Sequence, residues 1–197
     1  MKMTHRSYSE EAGDFNRLCR FAIENHDHVR AYSTWCLGRL VDWKYGLYEN
    51  KLAIAGFWDK NAHLWFDGFG DLAGVAISEN GDSGFAVITA QGYRFLFEEL
   101  LQWVLGNWRE RGARLSIEIT ELQAREATIL ERFGFRHTST FSTQRFDLTL
   151  ERAKRFPLEP GFVIVDMFTH PNYREQRILR ADAFSGKSSP SEDELQR

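Results

Sequence analysis

Three groups of residues have side chains or spacing that could do chemistry. The first is Ser83–Leu101, SGFAVITAQGYRFLFEELL, where a strand through Phe85, Ala86, Val87 and Ile88 leads past Gly92 into a helix opening at Tyr93-Arg94. The start of a helix offers free N–H groups and a dipole end, and both favour an anion. Arg94 adds a positive charge. The turn has a single glycine, Gly92, and Phe-Leu-Phe-Glu-Glu follows Arg94, so bulk and negative charge stand where an anion would approach. The second group is Glu79 and Glu118, carboxylates beside central strands, which could serve as general bases directly or through water. Glu79 also reads as a turn residue and Glu118 as a solvent-facing strand residue. The third group is Trp35, Arg39 and Trp43, spaced to share one face of a helix. An arginine between tryptophans can line a pocket or stack on the rings as packing.

Other features point to bland roles. His26-Asp27-His28 resembles a metal-binding fragment, but a site needs three or four converging ligands, and the segment reads as a solvated loop. No metal is expected. Cys19 and Cys36 lie in apolar, helix-like surroundings and read as buried thiols, with no CxxC pair for zinc. The 197 residues are 43% hydrophobic, enough for a well-buried core, and the net charge of -3 argues against nucleic-acid binding. No apolar run approaches membrane-spanning length, and the N-terminal segment lacks the apolar stretch of a signal peptide. The expectation is a cytoplasmic protein with neither nucleic-acid nor membrane partners.

The elements that must position these residues follow from periodicity. Met3–Tyr8 reads as an edge strand and Ser9 as the N-cap of a helix carrying Phe15, Leu18, Cys19, Ala22 and Ile23 on one face. A second helix is expected over Ser33–Lys44, while 46–61 is ambiguous. A hairpin follows, His63–Phe66 and Leu72–Ser78, then an Asn80-Gly81 turn and a strand over Gly84–Ile88. The helix Tyr93–Arg111 leads to an alternating strand, Arg114–Thr120, and a helix over Gln123–Arg132 ending at Gly134 as a left-handed cap. Arg136–Thr140 and Gln144–Leu150 read as two last antiparallel strands. Residues 151–160 read as a charged, proline-bearing linker, after which Gly161–Asp166 reads as a strand and Tyr173–Phe184 as a helix.

This order, with Leu72-Ala73-Gly74-Val75-Ala76, Phe85–Ile88, Tyr93-Arg94, Ile117-Glu118-Ile119 and Leu130-Glu131-Arg132-Phe133-Gly134-Phe135, resembles the GNAT superfamily of acyl-CoA-dependent N-acetyltransferases. The resemblance covers residues 4–150. It implies an α/β (α+β) fold with a central mixed, mostly antiparallel sheet flanked by helices. Residues 161–197 resemble the opening of a second GNAT domain, as in the tandem members whose N-terminal domain is degenerate.

The resemblance also implies roles. Val87, Ile88 and Thr89 would offer backbone groups to acetyl-CoA, and Gly92, Tyr93 and Arg94 would form its phosphate turn. Trp35, Arg39 and Trp43 would line the pocket of an amine acceptor, a small molecule or a peptide. The chain departs from the pattern at Phe95, Phe97 and Glu99, where glycines usually stand, at Leu130 in place of an acidic tyrosine, and at Gln123 in place of an asparagine. These departures imply weak or absent cofactor binding in this domain. Two functions follow: an N-acetyltransferase with a degenerate cofactor loop, or an inactive scaffold or dimerisation domain that supports an active partner, either a second GNAT domain or a second copy of the chain.

Overall fold

The computed structural model describes residues 2–45, 51, 54–142, 159–161, 163, 165, 168–172, 174–176 and 178–179. The chain falls into two units, Met1–Ser139 and Thr140–Arg197. The first is a mixed α/β unit built on a five-stranded sheet in the order β1-β2-β3-β4-β5.

Strand β1 (Thr4–Ser7) is the edge expected from the sequence, paired antiparallel with β2 (Ala62–Phe66). β2 pairs antiparallel with β3 (Leu72–Ile77), and β3 with β4 (Gly84–Thr89). β5 (Ser116–Ile117) runs parallel to β4. Strand side chains alternate between two cores. Leu64, Phe66, Val75, Ile77, Ala86 and Ile88 join Leu18, Phe21, Trp35, Leu40 and Trp43 on one face. Trp65, Ala73, Ala76, Phe85 and Val87 join Leu100, Leu101, Val104, Ile129 and Leu130 on the other. Helices covering both faces explain why the central strands read as continuous apolar runs. Gly74 lets a helix approach closely, since a Cβ there would lie 3.1 Å from Leu100 and 3.3 Å from the Ile88 carbonyl.

Helix α1 (Asp14–Glu24) begins later than a Ser9 cap would place it. Its first residue, Asp14, is fully buried and sets the entry. The Arg6 guanidinium donates to both Asp14 oxygens, 2.7 Å from Nη2 to Oδ1, and the Ser9 backbone N–H donates to Oδ2 at 2.8 Å. One carboxylate thus ties β1, the connecting turn and α1 together. His26-Asp27-His28 is not a loop: helix α2 (His26–Tyr32) starts there and buries Val29 in the core. Helix α3 (Leu37–Tyr45) starts four residues after Ser33, whose hydroxyl accepts the Trp35 N–H and holds a turn instead. Cys36, expected to be buried, is exposed in that turn, and Cys19 is half-buried. Of the ambiguous stretch 46–61, residues 46–50, 52 and 53 lie outside the described residues, and Phe57–Asn61 forms the short helix α4.

The helix expected over Tyr93–Arg111 is divided into a 3-10 turn (Arg94–Leu96), helix α5 (Phe97–Asn107) and a second 3-10 turn (Arg109–Arg111). The strand expected over Arg114–Thr120 shrinks to Ser116–Ile117, because the Thr120 N–H turns away to donate to Gln123 Oε1 at 2.8 Å and opens helix α6 (Ala124–Arg132). Gly134, at φ 86°, ends α6 in the left-handed conformation, as expected. Arg136–Thr140 forms no strand, and Gln144–Leu150 lies outside the described residues.

In the second unit, residues 174–176 and 178–179 are helical, with Asn172 Oδ1 accepting the Glu175 N–H at 3.2 Å. The described residues 161, 163 and 165 of the expected strand are not in one. The linker positions 151–158, and the remaining positions of the expected strand and helix, lie outside the described residues.

Sequence reading missed a histidine pair under the sheet edge. His5 Nδ1 lies 2.8 Å from His63 Nε2, and the buried His63 ring stacks on Trp103 at 3.9 Å. Burial, then the charges of His5 and Arg6, push His63 down from 6.5 to about 4. Two predictions follow from these contacts. Asp14→Ala should lower unfolding stability by about 3 kcal/mol in urea titrations, because Arg6 loses a buried partner. For His63 the folded pKa lies below the unfolded one, so its contribution is whole above pH 6.5 and lost as pH falls toward 4. His63→Phe should flatten the fall in melting temperature across that window by about 5 °C.

Candidate functional site

Strand β4 carries the first part of the site. It pairs with β3 up to Thr89, but with β5 only at Gly84 and Phe85. On the β5 side, Ala86, Val87, Ile88 and Thr89 therefore have no strand partner among the described residues. Their side chains are buried nonetheless, fixed by the two cores. His28 of α2 comes within hydrogen-bonding reach of the Thr89 backbone; burial, then the nearby Arg94 charge, lowers its pKa. This residue was passed over as part of a loop. Only the helical start at His26 brings it to the strand.

Past β4 the chain makes the turn that the sequence placed there. Ala90 N–H donates to the Ala73 carbonyl, and Tyr93 N–H closes the turn on the Ala90 carbonyl at 3.0 Å. Gly92 sits at φ +87°, with nothing within 4 Å of where a Cβ would stand. The Tyr93 hydroxyl donates to Asp67 Oδ2 at 2.7 Å, which holds Asp67 below the ordinary carboxylate range and raises Tyr93.

Arg94 faces inward along the turn. Its Nε and Nη2 donate to the two oxygens of Glu126, at 3.0 and 2.6 Å, and its guanidinium stands 4.3 Å from the centre of the Tyr32 ring. The Glu126 side chain is only 3% exposed. Glu126 and Tyr32 were not singled out from sequence. The Gln123-x-x-Glu126 spacing, an acid in the first turn of a helix, was the available signal.

Of the residues that depart from the GNAT pattern, Phe97, Glu99, Gln123 and Leu130 are in structural use. Phe97 and Leu130 are buried in the core and Phe95 is exposed. Glu98 pairs with Arg132 at 2.9 Å, and Glu99 accepts the Trp65 indole N–H at 2.9 Å. Gln123 is buried, with its carbonyl on the Thr120 N–H.

The second part of the site centres on Arg39. Its Nε and Nη2 donate to Glu79 Oε2 at 3.2 and 2.7 Å, and its Nη1 donates to the Thr34 hydroxyl at 2.6 Å. Thr34 in turn donates to Glu118 Oε2 at 3.0 Å, and Arg39 Nη1 lies 3.7 Å from the same oxygen. The guanidinium sits 4.8 Å from the Trp35 ring centre. Both candidate bases and two of the three candidate pocket residues thus meet around one cation. The contacts of each carboxylate converge on its Oε2, and both side chains are partly exposed. Trp43 stands apart: it is fully buried, donates its indole N–H to the Ser78 carbonyl at 3.0 Å and meets Tyr8 edge-on.

Among the described residues no three His, Cys, Asp or Glu side chains gather as a metal site, and no helix is long and apolar enough to cross a membrane. The chain matches no protein-family model and no curated protein.

Arg39→Met should break the link between Glu79 and Glu118 while keeping an apolar stem over Trp35. Urea unfolding is expected to show a loss of about 1 kcal/mol, the size of a partly exposed ion pair with a ring contact.

Proposed function

We propose that this chain is a GNAT-fold member of the acyl-CoA-dependent N-acetyltransferases, a family that transfers an acetyl group from acetyl-CoA to an amine. The observation that carries the reading is the two-residue seam between parallel β4 and β5. Among the described residues it leaves Ala86–Thr89 without a strand partner on the β5 side, followed at once by a glycine turn and a helix start. Such an edge suits an extended, amide-bearing arm, which can add to it as a further strand would. Backbone N–H groups near Val87–Thr89 would then polarise a thioester carbonyl. The family's order of strands and helices up to α6 supports the same reading.

The strand edge fits the acyl-CoA arm, but the turn does not fit a pyrophosphate as it stands. Arg94 is already paired with Glu126, and Glu98 and Glu99 place negative charge in the first turn of α5. Leu130 has no proton to give a leaving thiolate. At the other part of the site, Trp35, Arg39, Glu79 and Glu118 form a polar, aromatic-backed patch suited to an amine acceptor, a small molecule or a peptide.

The Arg94–Glu126 pair specifically favours a second reading, in which the domain is an inactive scaffold supporting an active GNAT domain or a second copy of the chain. Isothermal titration with acetyl-CoA and CoA separates the two. Micromolar binding to the chain rules out the scaffold, and absence of heat at high concentration rules out the enzyme for this polypeptide.

A further inference from the structure

We propose that Glu126 is the resident occupant of the turn between β4 and α5, a carboxylate latch that an incoming diphosphate must displace from Arg94. The proposal rests on the acyl-CoA reading for the identity of the ligand, but its physical basis is in the turn itself. An anion is already seated there, and it is the protein's own. Both Glu126 oxygens receive a guanidinium N–H, at 3.0 and 2.6 Å, the forked geometry with which arginine also grips phosphate. Tyr32 backs the guanidinium plane at 4.3 Å and holds it in place. Glu126 belongs to the first turn of α6, whose dipole steadies the carboxylate where it lies. Beside this pair the backbone at Gly92 is open, with nothing within 4 Å of a Cβ position, so there is room at the turn while its one inward cation is engaged.

The latch is firm because Glu126 is almost fully buried. Withdrawing Arg94 without replacement would strand a desolvated carboxylate. A ligand therefore competes with an intramolecular partner, and the affinity of the turn for anions is set by residue 126 as much as by the loop. Other charges in the neighbourhood act in the same sense: Glu98 is turned toward Arg132 and Glu99 toward Trp65, so neither frees Arg94.

The test is calorimetric titration of the full chain with CoA and with inorganic pyrophosphate. Glu126→Gln should bind each at least about tenfold more tightly than the wild type, and Arg94→Met added to that variant should abolish the gain. Equal affinities in wild type and Glu126→Gln, or a gain that persists without Arg94, would overturn the latch. If Glu126→Gln does not fold, Glu126→Asp keeps the charge but shortens the reach; it should show a smaller gain of the same sign, and no gain would overturn the proposal. The acyltransferase reading fails separately. Tighter pyrophosphate binding with no preference for acetyl-CoA over pyrophosphate leaves the latch standing and removes that reading. Micromolar acetyl-CoA binding, equal in wild type and Glu126→Gln, does the reverse.

Discussion

Charge taken out of water must be matched inside the protein, and here arginine matches the two most deeply buried carboxylates, Asp14 and Glu126. Arg6 meets the buried Asp14 and fixes where α1 begins relative to the sheet edge. Arg94 meets the buried Glu126 and joins the end of β4 to α6. Arg39 meets Glu79 and lies near Glu118, bridging the β3–β4 turn and the segment after β5. The Arg94 and Arg39 pairs link elements far apart in sequence, whereas the Arg6 pair joins the neighbouring β1 and α1. Each also uses a planar cation that accepts ring stacking, on Phe66, Tyr32 and Trp35 respectively. The helices are thus placed by apolar packing and oriented by these forks.

The same constraint decides what the candidate site can do. Every group that could supply charge for chemistry already has a protein partner. At Arg39 the arrangement is partly exposed, and solvent or a cationic guest can reach the carboxylates. At Arg94 the carboxylate is enclosed, and only a competing anion has reason to enter. The two halves of the site therefore differ in accessibility more than in composition.

Legibility from sequence followed the range of the interactions involved. The hairpin pattern and the Asn80-Gly81 turn placed β2, β3 and β4 to within a residue or two, whereas the period-two alternation of Arg114–Thr120 overran β5, which keeps only Ser116–Ile117. Gly134 was readable because left-handed backbone has a strong residue preference. The start of α1 was misplaced since the Ser9 hydroxyl, which accepts the Ala12 N–H, closes a turn ahead of the helix, and Asp14 is fixed by Arg6 on another element. His26-Asp27-His28 hid a helix because its apolar anchor, Val29, comes after the polar run. Cys36 was misread because Ser33 diverts the chain into a turn before α3. Among the site residues, Trp35, Arg39, Glu79 and Glu118 were picked out singly, but their meeting around one guanidinium depends on tertiary contacts. Trp43 shared their helical spacing and yet went to the core. Glu126 went unnoticed because an acid in the first turn of a helix usually faces solvent.

The short seam between β4 and β5 separates two properties that usually travel together. By burial, Ala86–Thr89 belongs to the interior. By its main chain, on the side facing the gap, it behaves as a margin. Beyond Phe85 no ladder to β5 holds that side of the strand, so side-chain packing against the two cores keeps it in place. Among the described residues, the sheet thus carries a stretch of strand that is buried whole and yet unpaired along one side.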